Sequence, residues 1–462
     1  MVYAASTSTS PLDAVYPHVD VDDPALAAAA LRRASVHLLP FLFVLYVFNY
    51  LDRANVGIAA LQMNRDLGFS AGAYGLGAGI FFIGYAIFEV PSNLILARVG
   101  ARRWIARIMV SWGLIAAAMM LVTTPLQFYV LRFLLGVAEA GFFPGIVYYL
   151  SEWFPTPQRA RVLSRFMIAI PLSSAIGNPL GALLLRLDGR GHLAGWQWLF
   201  LLEGLPSILL GLAVWHYLPD RPESARWLTP EERVWLVARR DREERAPKSG
   251  MTDISALRAL RHPGIWMSAL LYFLILTTNY SYTFWAPTLI RDALGATAMA
   301  VGIMTGAIAF VAVGVMLAVG ALSDRSGERF GYAAACALVS ALGCLGAALL
   351  PSPLGRVIAL AAVFIGVAGF FAPFWCIPTA IVKGTAAAAG IALVNSIGNL
   401  GGFAGSYVVG LLQDATGSTR GAFVGLAGLA TFGAALCVAL RRTVTQPASR
   451  GRTAAVARTS SP

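Results

Sequence analysis

The sequence predicts an all-α polytopic membrane protein with twelve transmembrane helices in two pseudo-symmetric six-helix bundles. Three observations carry this. Of 462 residues, 58% are hydrophobic and only 13% charged, about half the charged share of a soluble domain. Twelve stretches approach or exceed the ~20 apolar residues that a helix needs to cross a bilayer. The basic residues alternate between the intervening segments so that one side of the membrane holds nearly all of them.

The spans run over 36–60, 74–96, 104–122, 126–149, 162–186 and 197–217 in the first half. In the second they run over 264–288, 299–322, 332–350, 355–382, 386–412 and 420–441. The domain reading follows: a cytoplasmic tail at 1–31, a first bundle at 32–217, a central loop at 218–263, a second bundle at 264–441 and a basic tail at 442–462. Pro219, Pro222, Pro230 and Pro247 and the charge run Arg239–Arg245 mark the central loop as polar, with a surface helix expected over Pro230–Arg245. The Ser/Thr/Pro-rich tail Met1–Asp23 lacks the charged start of a signal peptide, so none is expected.

Basic residues orient the chain. With a cytoplasmic N-terminus, 27 of the 35 Lys and Arg lie in inner segments, six in outer loops and two, Arg53 and Arg132, inside spans. This is a strong positive-inside bias. It places both termini in the cytoplasm of a cell whose inner membrane holds the protein. It also accounts for the formal charge of +12 without nucleic acid. The bilayer is then the expected partner, and a monomer the expected unit.

The halves repeat. Ser174-Ala-Ile-Gly-Asn178-Pro-Leu-Gly181 in span five matches Asn395-Ser-Ile-Gly-Asn399-Leu-Gly-Gly402 in span eleven. Asn93-Leu-Ile-Leu-Ala97-Arg98-Val-Gly100-Ala-Arg102 matches Gly320-Ala-Leu-Ser-Asp324-Arg325-Ser-Gly327-Glu-Arg329. Such six-plus-six duplication is how many secondary carriers build a central site between two rocking halves.

The loop Gly320–Arg329 resembles the signature of the major facilitator superfamily. A finer resemblance, to its anion:cation symporter family, covers most of the chain. It rests on Asn49-Tyr50-Leu51-Asp52-Arg53-Ala54-Asn55, Gly84-Tyr85…Pro91-Ser92-Asn93 and Arg132-Phe-Leu-Leu-Gly136-Val-Ala-Glu139-Ala140-Gly141. It continues in Trp153-Phe154-Pro155…Arg159-Ala160-Arg161, Phe374-Trp375…Pro378 and Gly390…Asn395…Asn399. The first-half loop is degenerate, with Asn93 for the glycine and Ala97 for the acid, as it is in that family.

Charges inside a membrane cost roughly 2.5–3.5 kcal/mol each on insertion scales, so they face partners or water. Asn49, Asp52 and Asn55 share one face of a 3.6-residue helix, with Arg53 about 100° round from Asp52. Arg132, Gly136 and Glu139 are likewise cofacial. Two readings are open: a binding cavity, or interhelix ion pairs that lock the first bundle. The family resemblance favours the first. It implies that Arg53 and Arg132 bind the substrate carboxylate and that Asp52 and Glu139 carry protons. It implies substrate contacts at Tyr85 and Asn399; Asn395, one turn before Asn399, and Trp375 in span ten are read from their positions as further wall residues. Asp324 and Arg325 are expected to form a cytoplasmic gating latch, and Glu89, Glu152 and Glu203 to be structural.

No Gly-x-x-x-x-Gly-Lys-Ser/Thr loop and no His-Glu-x-x-His, Gly-x-Ser-x-Gly or Cys-x-x-Cys pattern occurs. No ATP-driven pump, enzyme, metal site or cofactor is therefore expected. The four cysteines lie within spans and read as small apolar residues. The expectation is a transporter that imports a small organic anion (a sugar acid, hydroxy-diacid or aromatic acid) with protons by alternating access. Passive facilitation or anion exchange by the same residues is the alternative.

Overall fold

The computed structural model describes residues 22–155, 162, 166–245, 261–381 and 385–445. The helices are α1 Pro24–Asp66, α2 Ala71–Val99, α3 Ala101–Ala118, α4 Pro125–Glu139, α5 Phe142–Trp153, α6 Ala169–Leu184, α7 Gly195–Tyr217 and α8 Pro230–Arg245. They continue as α9 Pro263–Leu294, α10 Ala298–Ser326, α11 Phe330–Leu349, α12 Pro353–Phe374, α13 Cys376–Ile381, α14 Thr385–Thr416 and α15 Arg420–Thr445. Arg159, Arg161, Arg165 and Lys383, which enter the inside charge bias, fall outside the described residues. So do 1–21, 246–260 and the end of the basic tail.

Local sequence sets several boundaries. Thr124, His262 and Ser352 each precede a proline at the first helical position, and their side chains accept the backbone N–H of Gln127, Gly264 and Gly355. The capping side chain satisfies an amide with no intrahelical partner, and proline there gives up an N–H that would be orphaned anyway. Thr229 and Glu232 exchange hydrogen bonds of 3.3 and 3.0 Å at the start of α8, a capping box.

Among the described residues, ten helical segments are long and apolar enough to cross a membrane. α9 and α14 are 32 residues each but are not among them. α9 carries Thr277, Thr278, Asn279, Ser281 and Thr283, and α14 carries Asn395, Ser396, Asn399 and Ser406. These two helices pack along each other. The hydroxyls of Thr277, Thr278, Ser281 and Ser406 bond to carbonyls one turn back on their own helices, so these hydroxyls are satisfied without water. Elsewhere Leu126, Leu209, Phe310, Leu342 and Ile358 are exposed, the outward apolar surface that lipid contact requires.

The duplication is legible in the turns. Positive-φ glycines end matching helices at an offset of 227 residues, from Gly68 to Gly295 and from Gly100 to Gly327.

The chain forms two compact units. The first comprises Met1–Val56, Ile83–Gly177 and Leu184–Gly250; the second comprises Gly57–Phe82, Asn178–Leu183 and Met251–Pro462. The stretch 57–82 belongs with the second unit for visible reasons. Asp414 accepts from the Ser70 hydroxyl (2.8 Å) and from the N–H groups of Ala71 (3.0 Å) and Gly72 (2.7 Å), a carboxylate on the positive end of α2. The Tyr74 hydroxyl donates to Phe284 O (2.9 Å), and Arg291 Nη1 donates to Leu61 O (2.9 Å).

In the first unit the expected surface helix is α8, and its Val234, Trp235, Leu236 and Val237 are buried. Glu232 pairs with Arg33 at 3.1 Å. Trp227 stacks between His37 and Trp153, at centroid distances of 4.6 and 5.4 Å. Burial works against the charge of Arg240. Glu223 at 2.9 Å, with Glu152 and Asp241, outweighs it and holds the guanidinium above its usual pKa.

α3 and α7 cross closely at Gly113 and Gly204. A Cβ on Gly204 would lie 2.7 Å from Ala117 N and 2.8 Å from Gly113 O. Gly204→Leu is therefore expected to lower the melting temperature of the detergent-purified protein, at a cost of about 1–3 kcal/mol for overpacking. Gly428→Leu, where a Cβ meets open space, is expected to melt with the parent.

Candidate functional site

The site is built where α4 stops. Span four reads as one apolar run, but the helix ends at Glu139 and restarts at Phe142. Ala140 is extended and Gly141 takes φ +86°, a left-handed conformation suited to glycine. A Cβ on Gly141 would overlap Ser92 Oγ. Ser92 fastens the break by donating to Ala140 O (2.6 Å) while accepting from Trp104 Nε1 (2.9 Å). The break leaves Glu139 at a helix C-terminus, where the helix dipole disfavours a carboxylate. A cation must offset that.

Arg53 of α1 is that cation. Its Nε donates to Glu139 Oε1, and its Nη2 forms an ion pair with the same oxygen. The pair is 6% and 1% exposed. The guanidinium also lies over the rings of Tyr85 (4.9 Å) and Tyr50 (5.1 Å), a cation–π contact that strengthens out of water. Arg132 is fully buried, and its charge and the Asn49 side chain also face Glu139. So Arg53, Arg132, Tyr85 and Glu139, expected together from sequence, are brought together in the first unit.

Asp52, next in sequence to Arg53, faces elsewhere. Its Oδ2 accepts from Trp112 Nε1 (2.5 Å) and Ser207 Oγ (2.9 Å), on α3 and α7. Its coupling to Glu139 is through charge rather than contact. The polar stripe of α1 is thus divided: Asn49 faces Glu139, whereas Asp52 and Asn55 face the α3–α7 crossing. Trp112 and Ser207 escaped sequence reasoning because an indole and a hydroxyl in apolar spans are unremarkable until the helix register is known. Glu203 is legible in sequence as a carboxylate inside span six, where a structural role is expected. It lies mid-helix in α7, buried, facing Asn55 and Asp52. Glu152, by contrast, sits at the end of α5 and pairs with Arg240 at 3.5 Å.

The remaining candidates belong to the second unit. Asn399 is buried and donates to Asn395 O at 2.9 Å, and Asn395 is half-buried. Trp375 sits at the break between α12 and α13 with its ring 5.0 Å from Tyr272, edge-on. Asp324 takes Arg329 as its partner (2.5 Å), and Arg325 is exposed beside it. Among the described residues no group of three His, Cys, Asp or Glu could hold a metal ion.

Comparison with known proteins agrees with this architecture. The Major Facilitator Superfamily profile matches residues 42–406 and, in a second register, 290–461. A protein of Agrobacterium vitis named "Putative tartrate transporter" is 45% identical over 431 residues, 93% of this chain and 98% of its own length. The inner membrane transport protein RhmT of Escherichia coli is 37% identical, over 91% of this chain and 98% of its own. Among solved structures, a bacterial homologue of the human lysosomal transporter Spinster superposes with a TM-score of 0.71. It is 17% identical and covers 88% of this chain and 97% of its own. A D-xylose–proton symporter gives 0.68 at 16% identity, covering 87% and 96%. At such identities the likeness is one of fold.

Gly141→Ala tests the break. Left-handed strain at a non-glycine residue costs about 1–3 kcal/mol, and the Ser92 overlap adds to it. We expect a lower melting temperature and at least tenfold slower uptake, measured in proteoliposomes of matched protein content.

Proposed function

The chain belongs to the major facilitator superfamily, and from that premise we propose that it imports an organic carboxylate together with protons. Transport and not catalysis is its business. The observation that carries the finer reading is the buried Arg53–Glu139 pair with Arg132 facing the same carboxylate.

A buried ion pair holds only while both partners stay matched, because an uncompensated charge in the interior is expensive. A substrate carboxylate that engages Arg53 and Arg132 competes with Glu139 for its cation. Glu139 is then left buried and unmatched, and a proton is the cheapest way to neutralise it. Substrate and proton thus favour each other's binding, a coupling typically worth ~1–3 kcal/mol. Arginine suits the role because its planar fork grips a carboxylate through two parallel hydrogen bonds and never loses its charge. Asp52 is the second proton-carrying group in this scheme. Tyr85 in the first unit and Asn399, Asn395 and Trp375 in the second are the further substrate contacts proposed. Asp324, paired with Arg329, and Arg325 are proposed to act in cytoplasmic gating.

Two arginines suit a compound with one or two carboxylates. Tartrate, which the Agrobacterium vitis relative carries in its name, is a hydroxy-diacid and the first compound to test. The inside charge bias supports an inner-membrane position with both termini cytoplasmic, and the name of RhmT is consistent with it. A monomer suffices for the scheme.

Purified protein in proteoliposomes decides the matter. An inward proton gradient is expected to drive accumulation of the carboxylate, and an uncoupler to abolish it. Uptake that requires internal substrate and ignores the uncoupler would establish exchange. Glu139→Gln is expected to lose gradient-driven accumulation, and accumulation at the wild-type level would remove Glu139 from the proton path. Arg132→Lys keeps the charge but loses the fork, and is expected to raise the KM for uptake at least tenfold.

A further inference from the structure

The first unit holds a buried carboxyl that the cycle above does not use. Glu203 is 2% exposed, and neither of its oxygens has a hydrogen-bond partner among the described residues. The side chains that face it are Asp52 and Asn55. Asp52 Oδ1 and Asn55 Oδ1 are also buried without a partner. Three side-chain donors are in reach of this corner: Trp112 Nε1 and Ser207 Oγ, both engaged on Asp52 Oδ2, and the Asn55 amide, which faces Glu203. Four buried acceptor oxygens therefore outnumber the donors left for them, which among these side chains is the Asn55 amide.

An excess of acceptors is unstable away from water, where each unmade hydrogen bond forfeits its solvation. With both carboxyls ionised, two negative charges would also face each other there, and Glu139 adds a third through space. One proton relieves both problems, since a protonated carboxyl is neutral and brings an O–H donor. Where it resides follows from the hydrogen bonds. Asp52 has two donors on one oxygen, which favours its charged form; Glu203 has at most the Asn55 amide. The crossing at Gly113 and Gly204, adjacent in sequence to Trp112 and Glu203, holds the corner closed.

We propose that Glu203 is held as a neutral carboxylic acid that donates a hydrogen bond into the Asp52–Asn55 corner, making it the positioning residue that sets how readily Asp52 takes a proton. The role given to Asp52 rests on the symport reading; the neutral state of Glu203 does not.

Infrared spectroscopy of the full chain in lipid tests the second point directly. At neutral pH the wild-type spectrum minus that of Glu203→Gln is expected to contain the carbonyl band of an un-ionised carboxylic acid. Carboxylate bands in that difference would overturn the proposal. The pH profile of gradient-driven uptake tests the first. Glu203→Leu removes the donor, so the pH at which uptake falls off is expected to move upward by about one unit, tenfold in proton affinity. Glu203→Gln retains an N–H donor and is expected to restore the limb toward wild type. Superposable profiles for the two variants would exclude the positioning role. If Glu203→Leu does not fold, the infrared comparison still decides. If wild-type uptake proves independent of protons, the symport reading fails while the infrared result stands.

Discussion

Compensation of charge where water is excluded is the constraint on which the first unit depends. Moving a carboxylate or guanidinium into a protein interior costs several kcal/mol per ion even after relaxation. Arg53, Glu139, Arg132 and Asp52 are all buried. The remedy is local. Arg53 meets Glu139 and two aromatic faces, and Asp52 meets an indole N–H and a hydroxyl. The break at Ala140–Gly141 serves this arrangement, because it ends α4 at the carboxylate, and Ser92 and Trp104 brace it.

Asp52 and Arg53 are neighbours in sequence, and that is why they are not neighbours in function. Consecutive helical residues diverge by about 100°. One therefore faces α4 and the other faces α3 and α7. α1 thus divides two chemistries, a side with fixed positive charge and a side furnished with carboxyls. A direct Asp52–Arg53 ion pair would have quenched both.

Much of this was legible beforehand. The spans, the surface helix and the duplication all follow from apolar run length and repeated turn motifs, which are properties of the chain itself. Arg53, Arg132 and Glu139 announced themselves as charges in apolar runs. What stayed hidden depends on register between helices. Gly113 and Gly204 give no sign that they meet, and without that crossing Trp112 and Ser207 have no reason to be linked to Asp52. The break at Gly141 was masked by apolar residues on both sides. α9 and α14 carry polar groups that lower their mean hydropathy, and the hydroxyls of Thr277, Thr278, Ser281 and Ser406 among them are satisfied along the helices' own backbones.

The separation of the two sides of α1 also limits how substrate and protons can be coupled. Substrate that draws Arg53 from Glu139 changes no hydrogen bond of Asp52, whose donors sit on other helices. Whatever Asp52 senses must arrive as a change in field, since its link to Glu139 is electrostatic. Like charges coupled in this way titrate as a pair, and neutralising one weakens the field that favours neutralising the other. Under the proposed symport, Glu139 therefore answers to substrate by contact and Asp52 answers to Glu139 by charge. A hydrogen-bonded group beside Asp52 is then the one local means by which the protein can adjust its response without disturbing the arginines.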